Sequence, residues 1–504
     1  MAAFSARARA RIGPFSSDSQ RLLDRKARTG QIQGALNAAP PSPPTPSAVS
    51  SFTRASVRLS GSARALALEI AAEARAEWGY ASDLIARTFR AHRELGSSDR
   101  RRISETVYGL IRADRLLEKL VAGLCVPAIR RGDTVSPITR DELKLIVYEL
   151  REGIPIEAVR NDVKRLLRVD VALESVVGPD AGLDGTSGIE REALRLSVPD
   201  WLARELFEQL GPAEAASVIE AMNHRAPLAV RVNTALTTRE QLITSLAEEG
   251  VTAVPGRWST TSLILETRVN AFALSAFRAG LFEVMDEGSQ LVAELLAPPP
   301  GGRVVDACAG AGGKTLAIAA AMGGKGRVLA LDVDGKKLEE LRRRARRASL
   351  NNVAARAIAR ESDALPDEAR PAGWDRVLVD APCSGLGTLR RNPEARWRLT
   401  PSIVAEFPPR QVALMITYAP LVAVGGRLIY ATCTVMAQEN ERVIERFLAE
   451  RSDFVRMSVK EIWGKARAEE LGLVTGPEGD GYLRMLPNRH DTDGFFAAVL
   501  RRVK

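Results

Sequence analysis

The feature that most restricts how this chain can fold is a β/α alternation beginning near residue 282, built on strands that are apolar on both faces. Strands are predicted at 303 to 307, 327 to 331, 375 to 380 and 426 to 432. Helices at 313 to 322, 335 to 348, 402 to 423 and 438 to 450 fall between and after them. A strand core such as Arg376-Val377-Leu378-Val379 is nearly all apolar, which implies a parallel sheet covered by helices on both faces. The last segments break the alternation. YLRMLP at 482 to 487 and FFAAVLRR at 495 to 502 lie close together and predict a hairpin with no helix between them.

In such a sheet, ligands bind beyond the carboxyl ends of the strands where the strand order reverses. The first strand enters DACAGAGGKT, residues 306 to 315, which ends in the Gly-Lys-Thr of a phosphate loop. That loop needs an opening glycine separated by four residues from the Gly-Lys-Thr, and Cys308 stands there. The dinucleotide pattern GxGxxG also fails, because Gly310 and Gly312 are followed by Thr315 at the third place. A strand, a glycine turn and a helix remain, which suit a nucleoside-like ligand without a committed phosphate grip. Asp332 ends the second strand, where a carboxylate accepts ribose hydroxyls or caps the helix that starts near Gly335. Asp363 follows a third strand, within reach of an adenine amino group or in open solvent.

Upstream, residues 1 to 59 form an arginine-rich, acid-poor arm, read as a basic disordered segment or a transit peptide, and a Pro/Ser-rich linker. Residues 60 to 175 read as an all-helical domain, and 186 to 281 as a helical stretch followed by a small α+β module with βαββ order. The α/β domain occupies 282 to 504. A formal charge of +9 favours a polyanionic partner, while 5% aromatic residues are too few for stacking to be the main grip. Four cysteines without a CxxC pair, and three histidines, support neither a zinc site nor a disulfide frame. A reducing compartment, the cytoplasm, is expected, with no membrane span and no metal. A monomer is expected.

Two cysteines stand apart. Cys383 follows the strand that ends in Asp380, and Cys433 ends the next, so both thiols emerge into one cleft. Paired thiols suit methylation at carbon 5 of a pyrimidine, an atom too weakly nucleophilic to attack a sulfonium unaided. A thiolate adding to carbon 6 activates carbon 5, and a second thiol assists release of the covalent adduct. Asp380 can hydrogen-bond the cytosine N3 and amino edge. Spacing does not say which thiol attacks.

At these residues the chain resembles the Nol/Nop/Sun family of RNA cytosine-5 methyltransferases, and most of all its bacterial ribosomal-RNA branch. DACAGAGGKT, DAPCSG, YATCT and the tail HDTDGFFAAVLRR match its motifs, and SSDRRRISETVYGLIRADRLLEKLV resembles the NusB-like helical domain that accompanies them. The resemblance implies a Rossmann-like class I methyltransferase domain, S-adenosylmethionine as cofactor, and RNA, most of all small-subunit ribosomal RNA, as partner. It makes Cys433 the nucleophile and Cys383 the thiol that assists release. It places the cofactor on Cys308, Ala309, Gly310, Ala311, Gly312, Gly313 and Lys314, with Asp332, Asp363 and Asp380. The family commonly has Ala-Pro where this chain has Gly310-Ala311, and Gln where it has Met285. RNA contacts are expected from Arg390, Arg391 and Arg396 in LRRNPEARWRLT, where Trp397 stacks or packs, and from Arg231. RRRARR at 342 to 347 reads as an exposed helix face, and His490 as structural. The same chemistry on tRNA or another ribosomal RNA, or a non-catalytic ribosome-assembly role, are the competing readings. Both cysteines and Asp380 being present disfavours the last.

Overall fold

A computed structural model describes residues 58–59, 61–359, 366–369, 371–472 and 481–504. The basic arm and most of the linker fall outside them. No helix of the described residues is long and apolar enough to cross a membrane.

The first region is helical: Gly61–Glu77, Ala81–Ala91, Ser97–Arg130, Pro137–Arg151 and Arg160–Leu167. The long helix buries Ile103, Val107, Leu110, Ile111, Leu117 and Val121. That three-and-four spacing makes a stripe for its neighbours 61–77 and 137–151. At Gly109 the crossing is so close that a Cβ would sit 2.2 Å from the Tyr148 hydroxyl. Ala81–Ala91 is absent from the sequence reading although Ala81, Leu84, Ile85 and Phe89 recur at helical spacing and pack on one core.

The helical stretch that follows is three helices, Gly188–Arg195, Asp200–Leu210 and Pro212–Met222. Ser197, with φ of 51°, and Gly211, with φ of 79°, turn the chain between them. Their apolar side packs on Leu386, Leu389, Ala395, Val435 and Met436, which belong to the segments carrying the two thiols.

The small module has strands β1 (Leu228–Val232), β2 (Ala253–Pro255), β3 (Ser262–Leu265) and β4 (Phe282–Val284), in antiparallel order β2-β3-β1-β4. Its helix, Arg239–Glu248, is started by a capping box of Thr238 and Gln241. The βαββ expectation holds, but the boundary drawn at 282 cuts through this sheet, since β4 pairs with β1.

The larger sheet contains β5 (Arg303–Asp306), β6 (Arg327–Asp332), β7 (Val353–Ala357), β8 (Trp374–Asp380), β9 (Val422–Thr432), β10 (Phe454–Met457), β11 (Leu483–Met485) and β12 (Phe495–Arg502). The order is β10-β12-β9-β8-β5-β6-β7, with β11 also on β12. Strands β5 to β9 run parallel, and β12 joins β9 antiparallel. From β5 the chain steps outward through β6 to β7, then returns to β8 on the other side. The reversal opens a crevice beyond the carboxyl ends of β5 and β8. The hairpin of β11 and β12 forms, although a single helical turn, Pro487–His490, lies between its strands. The helix expected over 402 to 423 splits into Pro401–Val404 and Phe407–Tyr418, and β9 already begins at Val422. Prolines restart the second piece in its first turn.

Candidate active site

The turn after β5 is shaped by two glycines in the left-handed region, Gly310 at φ 54° and Gly312 at φ 89°. A Cβ on Gly312 would meet Leu341 at 2.6 Å, whereas at Gly310 and Gly313 it would meet open space. The inner side of the turn is therefore clear for a ligand. Asp332 braces it: the Gly310 N–H donates to one carboxylate oxygen at 2.7 Å and the Asp334 N–H to the other at 2.8 Å. The helix near Gly335 is capped by Asp334, which accepts from Lys336 and Lys337 N–H, so the capping alternative for Asp332 falls away. The free lone pairs of Asp332 suit a ribose diol. The Ala311 carbonyl accepts from Arg344 Nη1 at 2.7 Å. Asp363 lies outside the described residues.

Lys314, on the first turn of the next helix, does not reach back over the turn. Its ammonium is 2.7 Å from Asp380 Oδ2 and 5.3 Å from the centre of the Phe495 ring. Burial acts to lower its pKa, but Asp380 outweighs burial and holds it above the ordinary lysine value, with the Cys433 sulfur contributing. Below it, Asp306 is buried and accepts from Thr315 Oγ1 at 2.6 Å; burial pushes its carboxyl up to about 7.

The two thiols meet. Parallel pairing aligns Asp380 with Ala431, so the chain leaves β8 and β9 side by side. Cys383 Sγ lies 3.4 Å from Cys433 Sγ, and both are free thiols. Contact with the Cys433 sulfur, and then burial, push the Cys383 thiol well above its ordinary value, so at neutral pH it holds its proton. Beneath both sits a residue absent from the sequence reading, Glu439, fully buried. Its carboxylate accepts the Ser384 N–H at 2.8 Å, the Thr434 hydroxyl at 3.1 Å, Gln411 Nε2 at 3.1 Å and the Ser384 hydroxyl. Ser384 follows Cys383 and Thr434 follows Cys433, so one side chain ties both thiol segments together. Burial raises the Glu439 pKa despite these donors. The signal available in the sequence is a glutamate inside the largely uncharged TVMAQEN, just past a cysteine strand end.

The basic residues differ from the expectation. Arg396 is fully buried, with Nη1 on Asn223 Oδ1 at 2.6 Å and on the Ser197 carbonyl at 3.3 Å; burial lowers it to about 9, so it stays charged at neutral pH. Arg390 is buried against the Arg225 carbonyl and Asp491. Arg391 bridges Asp286 at 2.9 Å and Asp493 at 2.6 Å. Arg231 is buried on β1 beside Ser262 and Glu283, and burial lowers it to about 10. These four hold the protein's own parts together and do not line an exposed strip. Trp397 packs on Trp78 and donates to the Ile111 carbonyl at 2.8 Å. In RRRARR, Arg344 and Arg347 are ion-paired to buried Glu283, so that face is not simply solvated. His490 is buried between backbone groups of Leu486 and Leu471, consistent with a structural role.

Residues 293–501 match the family model for 16S rRNA methyltransferase RsmB/F, and 198–271 the model for an RsmF/B-like ferredoxin-like domain. A probable ribosomal RNA small subunit methyltransferase B from Synechocystis sp. is 35% identical, the match covering 88% of this chain and 99% of the relative. One from Bacillus subtilis is 30% identical, with the same coverage. The solved structure of PH0851 superposes with a TM-score of 0.69 at 27% identity, over 88% of this chain and all of that one. A methyltransferase homologue from Pyrococcus horikoshii superposes at 0.53 and 26% identity, over 63% and 99%. With the glycine turn, the paired thiols and a near full-length match to such relatives, the chain belongs to the RsmB/F family of 16S rRNA methyltransferases.

Proposed function

We propose that this protein methylates carbon 5 of a cytosine in small-subunit ribosomal RNA through a covalent adduct between the base and Cys433. The observation that carries this reading is the 3.4 Å separation of two thiols at the ends of neighbouring parallel strands. When bound at the glycine turn, S-adenosylmethionine supplies an electrophilic methyl group. The clear space at Gly310 and Gly313, and Asp332 beside it, fit its nucleoside part.

The residues divide the work by their surroundings. Cys433, within electrostatic reach of the Lys314 ammonium, is the thiol whose sulfur adds to carbon 6 of the cytosine. Cys383, held neutral by its neighbour and by burial, can give its proton to N3 as the Cys433 sulfur adds and then, as the thiolate so formed, take the carbon 5 proton as that sulfur leaves, N3 losing its proton to water. Asp380, paired with Lys314 at 2.7 Å, would accept from the cytosine amino group, and from N3 once that nitrogen carries a proton in the adduct. Glu439 keeps the two thiol segments in register.

Incubating the protein with radiolabelled S-adenosylmethionine and unassembled small-subunit ribosomal RNA tests the reading. The expected product is 5-methylcytosine at one position. Label on another base, or on another atom of cytosine, would refute it.

A further inference from the structure

One cluster of charge lies away from the thiols and is left unbalanced by the fold. On the long helix, Arg101 and Glu105 are four residues apart and share a face. A single oxygen, Glu105 Oε1, accepts Arg225 Nη1 at 3.1 Å and also Arg268 Nη1. Arg225 lies between the three-helix connector and β1, and Arg268 follows β3, so two separate parts of the chain deliver cations to one carboxylate of the long helix, and Arg101 stands within electrostatic reach of Arg225. Three positive charges against one negative leave a net charge of two. The side chains of Arg225 and Arg268 are 59% and 44% exposed, and Arg101 is exposed.

Glu283 also collects more than one cation, Arg344 and Arg347, but there the carboxylate is buried and the arginines are largely covered, as suits a bridge that only joins parts of the fold. This cluster is open and cationic. It is also wired to the segment carrying Cys383. The Arg225 carbonyl accepts from Arg390 Nη2 at 2.6 Å, the Arg390 carbonyl accepts from Arg112 Nη2 at 2.7 Å, and Arg391 donates to the Pro227 carbonyl at 3.4 Å.

We propose that Arg101, Arg225 and Arg268 form a cradle for the phosphate backbone of the RNA whose cytosine enters the cleft. The proposal rests on the RNA-methyltransferase reading given above. Phosphates replace Glu105 as partners, and guanidinium groups suit them because they bind phosphate oxygens two at a time. Contacts of this kind fix the register of the RNA without reading its sequence.

The test measures affinity of the full chain for a fluorescent fragment of small-subunit ribosomal RNA across 50 to 200 mM KCl, roughly the range over which phosphate contacts dominate. Each of Arg101→Gln, Arg225→Gln and Arg268→Gln should weaken binding on the order of fivefold to tenfold at ~0.1 M salt. Each should also lower the slope of log affinity against log salt by about one. Glu105→Gln should tighten binding, because it removes the competing carboxylate; a purely structural bridge predicts no gain. Turnover at saturating RNA should be unchanged in all four. A triple arginine variant that binds with wild-type affinity and slope would overturn the proposal and leave the cluster to an acidic protein partner. Failure of the methyltransferase reading shows up separately, as RNA binding by the wild type without methyl transfer.

Discussion

Two consecutive stretches leave the carboxyl end of β8, and they meet opposite surroundings. Asp380 to Gly387 runs along the crevice, where Cys383 meets Cys433. Arg390 to Arg398 passes beneath the connector helices and the long N-terminal helix, and its cations end on protein acceptors or rings: Asn223, Asp286, Asp491, Asp493 and Tyr80. The difference teaches that residue type alone does not say whether a group faces ligand. A basic run next to a cleft contacts a polyanion only if nothing packs over it. Here other helices do, and the arginines become interdomain fastenings.

Removing the attacking thiol should have the largest effect on this contrast. Cys433→Ala should reduce methyl transfer by at least ~10³-fold while leaving RNA affinity unchanged, measured by radiolabel incorporation and by binding. Next comes the shared brace. Glu439→Ala leaves a buried N–H and two hydroxyls without their acceptor and should lower kcat about 10²-fold with little change in KM for RNA. Glu439→Gln, which keeps an acceptor oxygen, should recover part of it. On the basic stretch, Arg396→Ala should cost stability, about 1–3 kcal/mol, because the Asn223 amide oxygen and the Ser197 carbonyl lose their donor. The salt dependence of RNA binding should not move. A lower salt slope with an unchanged melting temperature would return Arg396 to the RNA-binding surface.

The smallest effect concerns Asp306, whose folded pKa is raised from 3.8 to about 7. A carboxyl with a raised folded pKa contributes stability that is complete below pH ~4 and is lost as pH rises through about 7. Asp306→Asn carries no such titration. The melting temperature of the wild type should therefore fall relative to that variant as pH rises through this window.

The sheet was legible because its strands are apolar on both faces, and the thiols because strand ends are fixed points in such a sheet: Asp380 and Ala431 align, and the cysteines follow within three residues. The glycine turn was legible for the same reason. What stayed hidden depends on contacts distant in sequence. Glu439 is polar in a helix-like run, and only the meeting of Ser384, Gln411 and Thr434 around it reveals a brace. The burial of Arg390 and Arg396 needs Arg225, Asn223 and Ser197, more than 160 residues upstream. β4 was assigned to the wrong side of a boundary because its three residues show no periodicity of their own.

Catalysis as proposed needs a division of labour between two touching sulfurs, and Cys383→Ala tests it most directly. Incubated with small-subunit ribosomal RNA and S-adenosylmethionine, this variant should accumulate a protein–RNA complex that survives denaturation, with mass spectrometry placing the methylated cytosine on Cys433. Normal turnover without an adduct, or an adduct mapped to any other residue, would contradict it.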